Sequence, residues 1–167
     1  MEAQTVEART VDAMTIEARM THPVFLVPAA LAALQAYARA AEGLGVPTQT
    51  LELVHLRASQ INGCSVCVVL HAQALRQEDA GDERLATVAA WRDAPYFTDA
   101  ERAALELAEA VTRVADRGDP VSDALWAEVA RHYDEQGVSA LLIAITSVNV
   151  WNRLNAATRQ VAGAWSP

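Results

Sequence analysis

The chain has 167 residues, a hydrophobic share of 52% and a formal net charge of −8. This length favours a single domain that can bury a core without disulfide stapling. All 13 basic residues are arginines, and they form no basic run. The composition therefore excludes lysine-based Schiff-base and P-loop chemistry and argues against a nucleic-acid partner.

The sequence indicates neither a signal peptide nor a membrane span. Glu and Arg recur through residues 1–20, where a signal peptide would be apolar. The longest apolar stretch, residues 138–151, is shorter than the roughly 18–20 residues that cross a bilayer. We expect a cytoplasmic protein with no membrane partner.

Residues 1–19 are predicted to be an N-terminal extension or arm, and residues 20–167 the helical domain. Residues 1–10 and 11–20 form a near-repeat, too short for a solenoid. This arm could contain one short strand. No strand is predicted elsewhere, because no segment shows sustained alternation of apolar and polar residues.

The remaining residues predict an all-α domain of about six to seven helices. Capping residues, glycines and prolines mark the helix ends. The first three predicted helices run from Pro28 to Gly43, from Pro47 to Asn62-Gly63 and from Cys64 to about Gln77. The fourth is capped by Asp82 and runs through Trp91, the fifth begins at a capping box of Thr98 and Glu101, and the sixth begins at a cap on Ser122. The last runs from Asp134 to near Gly163.

The last predicted helix is apolar on more than one face between Val138 and Trp151. A helix that is hydrophobic all round must be covered on all sides. A small domain offers limited cover, so we expect a homo-oligomer in which another subunit covers part of this helix or contacts the arm. A central core helix in a monomer is the alternative.

The main functional signal is Cys64, Cys67 and His71, which include the only two cysteines of the chain. At about 100° per residue, a helix can place all three side chains on one stripe, with the imidazole nearest Cys67. The Asn62-Gly63 break would put Cys64 in the first turn, where free N–H groups favour a thiolate. His71 could take the proton of Cys67, and a reversible Cys64–Cys67 disulfide is expected.

Glu52 and His55 on the preceding helix are candidate supporting residues. Glu52 lies among apolar neighbours, where a carboxylate is costly to bury unless it is paired. It could orient or reprotonate His71 across the helix pair, or instead lie at the surface or pair with Arg57 or Arg153. No residue is predicted to bind a cofactor.

Two other interpretations of the cysteines remain open. A zinc ion could use Cys64, Cys67 and His71, with His55, Glu52 or His132 as the fourth ligand. The cysteines could also be two small buried apolar residues. The predicted site holds no metal, because the chain has no second CxxC and no HxxxH.

The pattern Glu52-x11-Cys64-x2-Cys67-x3-His71 resembles the core motif of AhpD-like alkylhydroperoxidases of the carboxymuconolactone decarboxylase superfamily. The segment from Asn149 to Asn155 also resembles the final helix of this group. The resemblance covers roughly residues 20–165 and implies an all-helical, oligomeric protein.

The resemblance also implies a peroxidase mechanism. Glu52 and His71 would relay protons, Cys67 would meet the hydroperoxide, and Cys64 would close the disulfide. A dithiol protein or small thiol would then reduce that disulfide, with no further cofactor. The helix-terminus argument points instead to Cys64 as the thiol of lower pKa, which could be the one that meets the reductant.

One departure from the family pattern concerns Val66, because AhpD has a second histidine at that position. His55 could partly substitute for it. The alternatives to a peroxidase are a non-redox enzyme of the carboxymuconolactone decarboxylase type and a non-catalytic oligomeric or metal-binding domain.

Overall fold

The computed structural model describes residues 16–116 and 118–164, and these residues are all-helical, with no strand among them. They form eight α-helices, with short 3-10 turns at Val88–Ala90 and Val114–Asp116. The helices are α1 (Pro23–Leu26), α2 (Pro28–Arg39), α3 (Thr48–Asn62), α4 (Ser65–Gln77), α5 (Asp82–Thr87), α6 (Asp99–Thr112), α7 (Asp123–His132) and α8 (Glu135–Thr158).

The seven predicted helices are all present, and α1 is the additional one. The capping box of Thr98 and Glu101 forms in both directions at the start of α6. The fourth helix is shorter than predicted, because α5 gives way to the 3-10 turn at Val88–Ala90. Gly81 caps it, and Asp82 is its first helical residue.

Helix α3 is the centre of the fold and packs against α4, α6 and α8. Its Leu51 and Val54 join a core with α6, α7 and α8. Its Leu53 and Leu56 join a second core with α4, Trp91 and Phe97. Because α3 is covered on several sides, its polar side chains must find partners on neighbouring helices.

Much of the apolar surface of α8 is covered within the chain. Val138, Leu141, Ile145 and Val148 are all buried in a single copy, because α2, α3, α4, α6 and α7 surround the helix. The need of this helix for another subunit is therefore smaller than its sequence pattern suggests. The homo-oligomer stays a prediction.

The predicted arm lies mostly outside the described residues, as does any strand in residues 1–15. Of the described part, Arg19 donates its backbone N–H to the carbonyl of Thr158, at 2.8 Å. This bond holds the start of the described chain against the end of α8. No helix in the described part of the chain is both long enough and apolar enough to cross a membrane.

Glu109 of α6 is a buried carboxylate next to α3 that accepts hydrogen bonds from several side chains, and it is called the buried hub below. Arg57 of α3 and Trp91 donate to its Oε1 at 2.7 Å and 2.9 Å, and Arg92 donates to its Oε2 at 2.9 Å. Burial opposes ionisation of this carboxyl, but the hydrogen bonds from Trp91, Arg92 and Arg57 outweigh it and lower its pKa to about 2.

Glu109→Gln should lower the free energy of unfolding at neutral pH by about 2–3 kcal/mol, because it leaves the Arg57 guanidinium buried without a counter-charge. Urea denaturation followed by circular dichroism measures this difference. A carboxyl with a depressed pKa stabilises the fold above its unfolded pKa and loses that effect as pH falls towards 2. The difference from wild type should therefore shrink between about pH 5 and pH 2.

Glu128→Gln is the matched control, since Glu128 pairs with Arg131 on the exposed face of α7. We expect this change to leave stability nearly unchanged. Equal losses in the two variants would contradict the assignment of Glu109 as a buried hub.

Candidate active site

The break between α3 and α4 positions the first cysteine. Gly63 ends α3 in the left-handed region, at φ 67° and ψ 29°, where glycine carries no Cβ penalty. Cys64 follows with an extended backbone and donates its N–H to the carbonyl of Ser59 at 3.0 Å. Cys64 is therefore the N-cap of α4, one position before the first helical turn in which the sequence placed it.

The N-cap position brings the two sulfurs together. The Sγ of Cys64 accepts the backbone N–H of Cys67 at 3.3 Å, and the two Sγ atoms lie 2.8 Å apart. Both cysteines are free and buried. A pair placed three residues apart inside a helix would be held wider, so the extended backbone of Cys64 accounts for the closeness.

The environment lowers the pKa of the Cys64 thiol and raises the pKa of the Cys67 thiol. The hydrogen bond with the Cys67 thiol is the main cause that lowers the pKa of Cys64, to about 6, against the effect of burial. The Cys67 backbone N–H and the amides of Asn155 and Asn152 add to this lowering. The same bond to Cys64, followed by burial, raises the pKa of Cys67. The site thus favours the anion at Cys64 and the proton at Cys67.

A stripe of asparagines on α8, which the sequence analysis gave no role, lies against the cysteines and the end of α3. Asn155 donates to the Sγ of Cys67 at 3.2 Å, and Asn152 donates to the Oγ of Ser59 at 3.1 Å. Asn62 donates to the side-chain oxygens of Asn152 and Asn149 at 2.9 Å each. The signal in the sequence was the three-residue spacing of these amides in an otherwise apolar helix.

Glu52 and His71 form the contact predicted between α3 and α4. The Nδ1 of His71 lies 2.8 Å from the Oε2 of Glu52. Burial opposes ionisation of Glu52, but the contacts of His55 and His71 with its carboxylate outweigh it and lower its pKa to about 2. Burial lowers the pKa of His71, and Glu52 only partly offsets this. This shift favours the neutral form of His71, which would keep a lone pair on Nε2 when it donates from Nδ1 to the carboxylate.

His55 points into the same region. Its Nδ1 lies 3.4 Å from the Oε1 of Glu52, and its ring centroid lies 4.7 Å from that of His71. Each of the three side chains, on Glu52, His55 and His71, is about four-fifths buried. One carboxylate thus contacts two imidazoles on adjacent helices.

An apolar cavity of about 480 Å³ opens onto this region. Cys67, His55 and His71 lie on its wall, together with apolar side chains that include Leu31, Leu70, Val148, Phe25 and Trp151. The cavity can therefore present a small apolar molecule to one sulfur and two imidazoles.

Cys64 lines a different cleft, of about 250 Å³, with Ser65, Arg159 and Gln160. The single stripe of three side chains expected from helical spacing is not formed, because Cys64 precedes the helix. Cys67 and His71 share the cavity, while Cys64 faces the other side. His71 makes no hydrogen bond to either cysteine among the described residues, although it lines the same cavity as Cys67.

The structure does not assemble the zinc set considered from the sequence. Among the described residues, the group of metal-ligating side chains is Glu52, His55 and His71, without either cysteine. His132 lies on α7, where its Nε2 is 3.1 Å from Glu128.

His22 is a further residue that the sequence analysis missed. It is buried, and its Nδ1 accepts the backbone N–H of Val24 at 3.2 Å, which caps α1. The centroid of its ring lies 5.7 Å from that of Trp151, a residue that lines the cavity. Burial lowers the pKa of His22, and a hydrogen bond with Asn155 raises it. His22 thus lies beside the asparagine that contacts Cys67; its position before a helix-opening proline was the available signal.

Several solved structures share the fold, among them the following two. One, from Agrobacterium tumefaciens, is described as a protein of unknown function and a candidate antioxidant defence protein AhpD. It is 28% identical, with a TM-score of 0.81, and the match covers 89% of this chain and all of that one. The debrominase Bmp8 is 20% identical with a TM-score of 0.73, over 84% of this chain and 75% of its own, and shows the fold alone.

The sequence comparisons identify the family. The model of the carboxymuconolactone decarboxylase family matches residues 26–110, just over half of the chain. The uncharacterized protein YdfG of Bacillus subtilis is 35% identical over 108 residues, which are 65% of this chain and 72% of YdfG. The AhpD-like arrangement of thiols, carboxylate and imidazole thus occurs in a chain that belongs to the carboxymuconolactone decarboxylase family.

Proposed function

We propose that this chain is a thiol-dependent peroxidase that reduces organic hydroperoxides through Cys64 and Cys67. The observation that carries the proposal is a pair of free sulfurs 2.8 Å apart, one of which opens onto an apolar cavity with two imidazoles. Two adjacent thiols can take up the two electrons of a peroxide bond by closing a disulfide.

Cys67 is the sulfur that meets the peroxide, since it lines the cavity. Its pKa is raised, so it needs a base to become a nucleophile. His71 lines the same cavity with a lone pair on Nε2, and the Glu52 carboxylate stabilises the imidazolium that forms. The Cys67 sulfur attacks the terminal peroxide oxygen, the O–O bond breaks, and the imidazolium protonates the departing alkoxide. The products are an alcohol and a Cys67 sulfenic acid.

Cys64 then resolves the sulfenic acid. The Cys67 backbone N–H and the amides of Asn155 and Asn152 favour the Cys64 thiolate, which attacks the oxidised sulfur of Cys67. The S–O bond breaks, hydroxide leaves and takes up a proton to become water, and the Cys64–Cys67 disulfide forms. Cys64, the thiol of lower pKa, therefore closes the disulfide, and Cys67 is the thiol that meets the peroxide.

An external dithiol completes the cycle by thiol–disulfide exchange at Cys64. The cleft beside Cys64 is separate from the cavity and carries Arg159 and Gln160. One thiol of the reductant attacks the Sγ of Cys64 and releases Cys67 as a thiol; the second thiol then releases Cys64 and forms the disulfide of the reductant. Substrate and reductant thus use opposite sides of the thiol pair.

The site gives less support to a lactone decarboxylase. Such an enzyme must hold an anionic substrate, and no arginine lines the cavity in the described part of the chain. The fold itself does not choose between chemistries, because one fold can host several functions.

His71→Ala should lower the second-order rate constant for oxidation of the reduced protein by an organic hydroperoxide by about 100-fold, because it removes the general base. Stopped-flow tryptophan fluorescence or competition kinetics measures this rate. His132→Ala is the matched control, since His132 lies on α7 and pairs with Glu128. An unchanged rate in His71→Ala, with the fold intact by circular dichroism, would sink the assigned role.

Glu52→Gln should slow the same reaction by about tenfold or more, and the Glu52→Gln, His71→Ala double variant should be little worse than His71→Ala. The reason is that Glu52 acts through the imidazole, and residues that act as a unit are not additive. Fully additive losses would show that Glu52 acts separately from His71.

Mild alkylation should modify Cys64 before Cys67. With a limiting amount of iodoacetamide near pH 7, the Cys64 thiolate is the reactive species, because its pKa is about 6 and that of Cys67 is raised. Peptide mapping by mass spectrometry gives the ratio of the two products. Preferential labelling of Cys67 would contradict the proposed division between the thiols.

A further inference from the structure

We propose that Glu52, His55 and His71 form a binding site for a divalent first-row transition-metal ion. One ligand atom from each of the three side chains lies within 4.8 Å of the other two. This inference goes beyond the proposed peroxidase, whose chemistry needs no metal. It concerns a second use of the same carboxylate and imidazole.

Two of the distances between ligand atoms are close to those around a single ion. Metal bonds of about 2.0–2.2 Å to nitrogen and carboxylate oxygen place neighbouring ligand atoms roughly 3–3.5 Å apart. The Nδ1 of His71 is 2.8 Å from Glu52, and the Nδ1 of His55 is 3.4 Å from the other oxygen of that carboxylate. Small side-chain movements would therefore admit an ion between them. Both histidines would bind as neutral imidazoles, with the proton on Nε2.

One of these nitrogens is only weakly satisfied. The Nδ1 of His55 is buried, and its polar partner within the described residues is the Oε1 of Glu52, 3.4 Å away and without good hydrogen-bond geometry. A buried polar atom left without a hydrogen bond is costly. An ion bound between His55 and Glu52 would satisfy this nitrogen and neutralise the carboxylate.

The donor set indicates the class of ion. Two imidazoles and one carboxylate suit Zn²⁺, Co²⁺, Fe²⁺ or Ni²⁺, whereas Ca²⁺ and Mg²⁺ prefer oxygen ligands alone. His55 and His71 both line the cavity, so the remaining coordination positions would face it. Three protein ligands with an open side are typical of sites that exchange a water or small ligand at the metal.

A bound ion would compete with the peroxide reaction. It would occupy the carboxylate of Glu52 and the Nδ1 of His71, which the proposed relay uses to hold the imidazole ready as a base. Metal binding and peroxide reduction would therefore exclude one another, and a metal ion would act as an inhibitor of the thiol chemistry. Cys67 would remain on the cavity wall in either state.

The test is Co²⁺ binding to a thiol-free protein, the Cys64→Ser, Cys67→Ser variant. It uses neither peroxide nor thiols, so its outcome is independent of whether the chain is a peroxidase. Equilibrium dialysis and the visible d–d bands of Co²⁺ report stoichiometry and ligands. We expect one ion per chain at micromolar concentration. His55→Ala in this background should bind at least about 100-fold more weakly, since loss of an outer-shell contact alone costs roughly 10–100-fold.

The control is His132→Ala in the same background, which should bind as tightly as its parent. If the His55→Ala variant loses its helical circular dichroism, Glu52→Gln is measured instead, because glutamine keeps the shape of the side chain. This variant should weaken Co²⁺ binding to a similar degree. Three results would overturn the proposal: no Co²⁺ bound by the thiol-free protein, binding that survives these changes, or binding lost equally in His132→Ala.

Discussion

Helix α3 imposes the constraint on which the rest of the structure depends, because neighbouring helices cover it on several sides while it carries polar side chains. Each of these side chains is buried at a cost unless a neighbouring helix supplies a partner. The partners are His71 of α4 for Glu52, Glu109 of α6 for Arg57, and Asn152 of α8 for Ser59. These three contacts join α3 to each of its neighbouring helices, and the first of them is also the proposed proton relay.

The thiol pair lies where α3 gives way to α4, and this break gives the two sulfurs different environments. Cys64 takes the N-cap position, where a backbone N–H and the Cys67 thiol both favour its anion. Cys67 lies inside the helix, keeps its proton and faces the cavity with His71. A nucleophile with a raised pKa needs a base, and a resolving thiol gains from being a thiolate already. The proposed relay of Glu52 and His71 thus lies near the less acidic thiol, which is the one that needs a base.

The helices and the Glu52–His71 contact could be predicted because caps, breakers and the cost of burying a lone carboxylate are local signals. The N-cap position of Cys64 could not, because helix ends are known from sequence only to within a few residues. Asn155 and His22 were missed because their roles depend on contacts between the two ends of the chain, which residue spacing does not reveal.

The central claim is that Cys64 and Cys67 act as a redox pair, and the most direct test is thiol counting after one equivalent of an organic hydroperoxide. Free thiols are titrated before and after the reaction, and the oxidised protein is mapped by mass spectrometry without reduction. The account predicts that both thiols disappear together and that Cys64 and Cys67 are joined within one chain. Thiols that remain unchanged, or a single cysteine oxidised to a sulfinic acid with no disulfide, would contradict it.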